Sequence, residues 1–193
     1  LGLAIVDEQH RFGVAQRLAL RGKAMGEAHQ LMMSATPIPR TLAMSYYADL
    51  DVSVINEMPP GRTPVVTKLV AEERRDEVVQ RVRDACMAGR QAYWVCPLIE
   101  ESEKLQLQTA LDTHAHVQQT FPELRVGLVH GRLKSAEKQQ VMAAFQRGEV
   151  QLLVATTVIE VGVDVHNASL MVIEHAVRMG ASQLHRLRGR VGR

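Results

Sequence analysis

The chain has 193 residues, of which 46% are hydrophobic, 23% charged and only 4% aromatic; this composition excludes a disordered tail and fits a folded α/β protein with one large core or two smaller ones. A formal net charge of +2 supplies no overall field that would draw the chain onto nucleic acid, so any such binding must come from locally placed groups. The two cysteines, Cys86 and Cys96, have neither disulfide nor zinc spacing and read as free buried thiols in a reducing cytosol. No apolar run approaches the ~20 residues of a membrane span and no leader pattern is visible, so a cytoplasmic protein is expected.

In chain order, Leu3 to Val6 and Gln30 to Met33 are short apolar runs that read as buried strands, with a helix from Gln16 to Met25 between them. The stretch Glu57-Met-Pro-Pro-Gly-Arg-Thr-Pro64 carries three prolines and a glycine, which disfavour helix and central strand alike, and reads as a connection. An alternation follows. Strands are expected at Val65 to Val70, Gln91 to Leu98, Arg125 to Val129, Val150 to Ala155 and Leu170 to Glu174. Helices are expected at Glu72 to Ala88, stopped by Gly89; at Ser102 to Gln119; at Ser135 to Arg147, with Ser135 as N-cap and Gly148 as stop; and from Ser182 to Arg193. Strands alternating with helices imply right-handed crossovers and a parallel sheet covered on both faces. Leu1 opens inside an apolar run and Arg193 closes inside a charged segment, so both ends read as cuts within a longer chain.

Ligands of open parallel sheets sit outside the carboxyl ends of the strands, so polar groups that follow apolar runs are the candidates. Asp7-Glu8-Gln9-His10 is the first: of two adjacent carboxylates, one can hold Mg²⁺ while the other positions or deprotonates a water. The same pair could simply end a strand at the surface. Ser34 and Thr36 in Ser34-Ala-Thr-Pro37 place two hydroxyls at a second strand end, although helix capping uses the same residues. His130-Gly131 and Thr156-Thr157 follow two further strands, where hydroxyls, amides and a close-approaching glycine can hold nucleic-acid phosphates without reading bases; a turn explains the first pair as well. Asp164, closing Gly162-Val-Asp164, could bind a ribose hydroxyl or start a helix.

Arg186-Leu-Arg-Gly-Arg-Val-Gly-Arg193 puts four arginines into eight residues. A solvated basic face is the plain explanation of such a run. Gly189 and Gly192 within it point instead to a closely packed helix that carries Arg190 and Arg193 on one side, facing phosphate.

Taken in order, Asp-Glu-x-His, Ser-Ala-Thr, a proline-rich connection, Thr-Thr with Gly-x-Asp, and Arg-Gly-Arg-Val-Gly-Arg form a series that resembles the superfamily 2 helicases from motif II to motif VI, over the whole chain. The longer strings Asp7-Glu-Gln-His-Arg-Phe-Gly-Val14, Ser34-Ala-Thr-Pro-Ile-Pro-Arg-Thr41, Tyr93-Trp-Val-Cys-Pro-Leu-Ile-Glu-Glu-Ser102 and Val158-Ile-Glu-Val-Gly-Val-Asp164 resemble the RecG family in particular. The Mfd family of transcription-repair coupling translocases is similar but has Asp-Glu-Glu-His where this chain has Gln9.

The resemblance implies an α/β chain of two RecA-like lobes with parallel sheets, the P-loop NTPase fold: the tail of the first lobe at 1–56, a connection at 57–64 and a second lobe at 65–193, truncated at its end. It implies ATP and Mg²⁺ as cofactors, ATP lying between the lobes, and DNA forks and Holliday junctions as partners of a monomer. By it Asp7 serves Mg²⁺ and the nucleotide, Glu8 is catalytic at the hydrolytic water, and Gln9, His10, Ser34 and Thr36 couple the ATP and DNA sites. His130, Gly131, Thr156 and Thr157 would lie near the DNA backbone, Asp164 near the ribose, and Arg190 and Arg193 would act catalytically at the γ-phosphate. Two departures are Arg186, where motif VI usually has Gln, and His166, where Pro usually follows Val-Asp-Val.

The implied function is an ATP-dependent DNA helicase that reverses forks and branch-migrates Holliday junctions in recombination and repair. A double-stranded DNA translocase of the Mfd kind and a catalytically silent nucleic-acid-binding module are the competing readings. No Gly-x-x-x-x-Gly-Lys-[Ser/Thr] loop occurs in these residues, so the 193 residues alone are expected not to hydrolyse ATP, the loop being expected upstream of Leu1.

Overall fold

The computed structural model describes residues 2–7, 19, 29–34, 51–58, 60–96, 103–156 and 165–192. The chain divides into two compact units, Leu1–Ile55 and Asn56–Arg193. In the first, β1 (Leu3–Val6) and β2 (His29–Met32) pair in parallel, from Leu3 opposite His29 to Val6 opposite Met32. Ala4 and Val6 are buried while Leu3 and Ile5 are exposed, the period-two alternation of a strand with one covered face. The second strand begins one residue before the expected Gln30. The expected helix from Gln16 to Met25 lies outside the described residues.

The second unit is built on a parallel sheet of β3 (Gln91–Cys96), β4 (Val126–Val129), β5 (Leu152–Thr156) and β6 (Ala168–Ile173), in spatial order β4-β5-β3-β6. Helix α1 (Arg75–Met87) precedes β3, α2 (Glu103–Thr120) links β3 to β4, α3 (Ser135–Gln146) links β4 to β5, and α4 (Ala181–Arg188) follows β6. Every residue of the two central strands β3 and β5 is buried, which is why their sequences, QAYWVC and LLVAT, carry no polar alternation. Successive side chains face opposite ways. Trp94, Leu152 and Val154 join Val82 of α1 and Val117 of α2 in one core, whereas Tyr93, Val95 and Leu153 join Phe145 and Met142 of α3 in the other. Gln91, buried at the first position of β3, donates from Nε2 to the carbonyls of Phe145 and Val150 and so ties the end of α3 to the sheet.

The expected elements of the second unit hold over the described residues, Pro97, Leu98 and Ser102 lying outside them, with four corrections. Val65 to Val70 is not a strand: Val66 and Leu69 are 79% and 90% exposed, and an apolar run with no neighbour in register completes no ladder. Only Val65 packs, against the second core. The helix expected from Glu72 opens as a 3-10 turn, Glu72–Arg74, before α1 begins at Arg75. Ser135 is the first residue of α3 rather than its cap; Lys134 holds the cap position, and its backbone N–H is taken by the Glu137 carboxylate at 2.8 Å. The last helix stops at Arg188 with Gly189 as its C-cap, well short of Arg193. Gly148 does end α3, at φ +76°, a backbone state that costs a residue without Cβ nothing.

Candidate functional site

The register aligns the carboxyl ends of the four strands in the second unit. Val129 lies opposite Ala155, Cys96 opposite Thr156 and Val95 opposite Ile173, and the Glu174 N–H continues onto the Val95 carbonyl at 3.0 Å. One edge of the sheet therefore presents His130, Thr156, Cys96 and Glu174 in a row. This is the edge at which parallel sheets take ligands.

At the β4–β5 end of the row, His130 Nδ1 and Thr156 Oγ1 are buried without a hydrogen-bond partner among the described residues, Thr156 being only 4% exposed. Polar atoms withdrawn from water cost free energy until a partner arrives. Burial, and then the charges of Lys138 and Arg132, hold the His130 imidazole below its ordinary pKa, so at neutral pH it is an uncharged ring with one N–H to donate. The turn after it is fixed by the Leu133 N–H on the His130 carbonyl at 3.2 Å and by Lys138 Nζ on the Gly131 carbonyl at 3.0 Å. A Cβ at Gly131 would meet nothing among the described residues within 4 Å.

At the β3–β6 end the polar groups are paired. Arg75 Nη2 meets Glu174 Oε1 at 2.7 Å, its guanidinium carbon lies 5.4 Å from the Trp94 ring centre, and Cys96 Sγ reaches Glu174 Oε2 at 3.8 Å. Burial and then the Glu174 charge push the Cys96 thiol up to about 12, against a hydrogen bond with Thr113; burial pushes Cys86 to about 11. Both thiols are free, buried and protonated at neutral pH. Sequence reasoning did not single out Glu174, although the rule that selected Asp7, a polar group directly after an apolar run, applies to it equally.

The arginine segment is not one helix. Leu187 and Val191 are buried in the second core, Arg190 between them is half-buried, and Gly192 turns at φ +75°. Arg190 therefore stands beyond the helix rather than on a face of it, because the glycine expected inside a helix caps it instead. The segment is bound by Arg62 and Thr63 of the expected connection and by Val65 just beyond it. Arg62 Nη2 donates to the Gly189 carbonyl at 3.3 Å, the Thr63 N–H to the Gly192 carbonyl at 3.4 Å, and Arg188 Nη2 returns a bond to the Val65 carbonyl at 3.0 Å.

In the first unit, Asp7 follows β1 and Ser34 lies just beyond β2. The parallel register, extended by the Met33 N–H on the Val6 carbonyl at 2.8 Å, sets both at the same edge. Glu8, Gln9, His10, Thr36, Thr157, Asp164 and Arg193 lie outside the described residues. Among the described residues no group of three His, Cys, Asp or Glu side chains could hold a metal ion, and no helix is long and apolar enough to cross a membrane.

Residues 73–193 match the family model of the helicase conserved C-terminal domain. Over its whole length the chain is 65% identical to the ATP-dependent DNA helicase RecG of Escherichia coli O157:H7, of which it covers 28%, and 55% identical to that of Thermotoga maritima, of which it covers 25%. It thus spans about a quarter of the length of these curated relatives. A solved structure of RecG bound to a three-way DNA junction matches 100% of this chain with a TM-score of 0.72 at 47% identity, and 24% of that chain is covered. Dbp5 of S. cerevisiae bound to RNA and ADP BeF3 matches with a TM-score of 0.61 at 15% identity, covering 100% of this chain and 50% of that one, and shares the fold.

Proposed function

Because the chain belongs to the family of helicase conserved C-terminal domains, we propose that it is part of the motor of an ATP-dependent DNA helicase of the RecG kind, which remodels forks and Holliday junctions in recombination and repair. The observation that carries this reading is the identity with RecG, which extends across both units rather than the matched domain alone. The unpartnered His130 Nδ1 and Thr156 Oγ1 support it, since they are the groups a phosphate backbone would satisfy.

In this reading His130, Gly131, Thr156 and Thr157 hold the DNA backbone without reading bases, and Lys138 and Arg132 supply the local positive charge that the overall balance lacks. Asp7 holds Mg²⁺, which when bound neutralises charge on the ATP phosphates. A carboxylate at a strand end beside Ser34 suits that role, and suits coupling through Ser34, Thr36, Gln9 and His10. Glu8 takes the proton of the attacking water, Asp164 binds the ribose, and the guanidinium groups of Arg190 and Arg193 meet charge developing on the γ-phosphate. The protein works as a monomer in the cytoplasm.

The test is ATP turnover by the full-length protein carrying this sequence, with and without a three-way DNA junction. The junction is expected to stimulate turnover. Glu8→Gln should keep nucleotide binding and lose about 10²–10⁴-fold in turnover, the range of a general base. An unstimulated wild type, or undiminished turnover in Glu8→Gln, would overturn the reading.

A further inference from the structure

We infer that Arg62 is a positioning residue for the arginine segment, fastening the start of the second unit to the backbone that presents Arg190; the inference rests on the helicase reading. The last carbonyls of a helix have no partner within it, and at α4 the guanidinium of Arg62, half-buried, reaches the carbonyl of the C-cap, Gly189. Thr63 and Arg188 add a bond in each direction, Thr63 N–H to Gly192 and Arg188 to Val65. Val65 packs against the same core as Leu187 and Val191. Arg190 is thus held between two buried anchors, and the backbone on both sides of it is hydrogen-bonded to residues 62–65.

The closeness of this strap depends on a glycine. At Gly192 a Cβ would stand 2.9 Å from Val65 Cγ2 and 3.1 Å from the Thr63 carbonyl oxygen, on a backbone already at φ +75°. The approach to the Thr63 carbonyl is to backbone and is not relieved by a side-chain rotation, and L side chains seldom adopt that φ. The chain enters the second unit at Asn56, so a displacement of this incoming segment would be delivered to the arginine segment through the Arg62 and Thr63 bonds. Guanidinium groups contribute in the transition state only when they are placed for it, and misplacement by an ångström can cost about 10²-fold.

Steady-state ATP turnover, nucleotide affinity and melting temperature of the full-length protein test this, for Arg62→Ala and Arg62→Lys in the wild-type and Arg190→Ala backgrounds. Arg62→Ala is expected to lower kcat between about tenfold and a hundredfold, with nucleotide affinity and melting temperature little changed, and Arg62→Lys to recover part of the loss. In the Arg190→Ala background the same substitution should cost less than about twofold, because both act through one guanidinium. Gly192→Ala, which pushes the strap away from the other side, should reproduce the kcat loss even if Arg62→Ala folds poorly. Full turnover in Arg62→Ala, or an equal loss in both backgrounds, overturns the inference while the helicase reading stands. A wild type without junction-stimulated turnover, or Arg190→Ala without effect, defeats that reading and the inference with it.

Discussion

The two halves of the ligand-facing edge differ in how their buried polar groups are satisfied. At the β3–β6 end, Arg75, Glu174, Cys96 and Thr113 bond one another and the arginine covers Trp94. At the β4–β5 end, one strand away, His130 Nδ1 and Thr156 Oγ1 have no partner among the described residues. The indole Nε1 of Trp94 is also unpartnered, but it belongs to a ring enclosed in the first core. A satisfied network fixes a core in one arrangement, whereas unsatisfied groups at a strand end are kept at a cost that a ligand can offset. The contrast is between a half whose polar groups are satisfied internally and a half with groups left over, the half to which the proposed function gives the DNA backbone.

The largest effect should separate the halves at Thr156. Thr156→Val keeps the branched shape and removes the hydroxyl. A hydrogen bond to a charged group is worth about 1.5–3 kcal/mol, so DNA affinity should fall roughly 10- to 100-fold, while unfolding in urea stays unchanged or shifts up by about 1 kcal/mol at most, since an unpaired buried atom has gone. Lost stability with intact DNA binding would place Thr156 in the scaffold and erase the contrast.

Glu174→Ala probes the other half and should give the opposite pattern. Its side chain is 15% exposed and that of Arg75 36%, so the pair is partly screened, and losing one partner should cost about 1–2 kcal/mol of stability, below the range for a fully buried pair. DNA affinity should hold within about twofold. Cys96, relieved of the neighbouring charge that raises its pKa, should react faster with a thiol reagent at alkaline pH. A large fall in DNA affinity with stability intact would show that this half binds too.

The smallest effect is a pH slope. The pKa of folded His130 lies below its ordinary 6.5, so as pH falls through that value the unfolded chain takes up a proton that the folded chain still refuses, and stability is lost. Comparing the urea midpoints of wild type and His130→Asn between pH 7.5 and 5.5 isolates this contribution, the variant being expected to lose less on acidification. An identical slope in both proteins would mean that the ring is not held neutral by its surroundings.

Much of this arrangement could be read from residue order. The central strands announce themselves because burial on both faces leaves only apolar residues in β3 after its first residue, Gln91, and in β5 before its last, Thr156. Thr156 and His130 could be singled out because one closes an apolar run and the other follows one, β4. Val65 to Val70 has the same composition but lacks a neighbour to pair with, and pairing is decided by tertiary structure. Gly189 suits a helix interior or a cap equally on paper; the choice is made by Thr63 and Val65 closing on Gly192. The partnerships that bind the functional edge are the least local. Arg75 lies 99 residues from Glu174 and Arg62 lies 127 from Gly189, and no spacing rule links residues across such distances.

Gln91 gives the sheet an asymmetry of another kind. Its buried amide rivets the amino end of β3 to the α3 terminus and to the approach to β5, at the edge farthest from His130 and Thr156. Two hydrogen bonds from one side chain thus pin the start of β3 to the segments that lead into β5, and the register that sets Ala92 opposite Leu152 is fixed from behind, before the strands reach the margin where His130 and Thr156 lie.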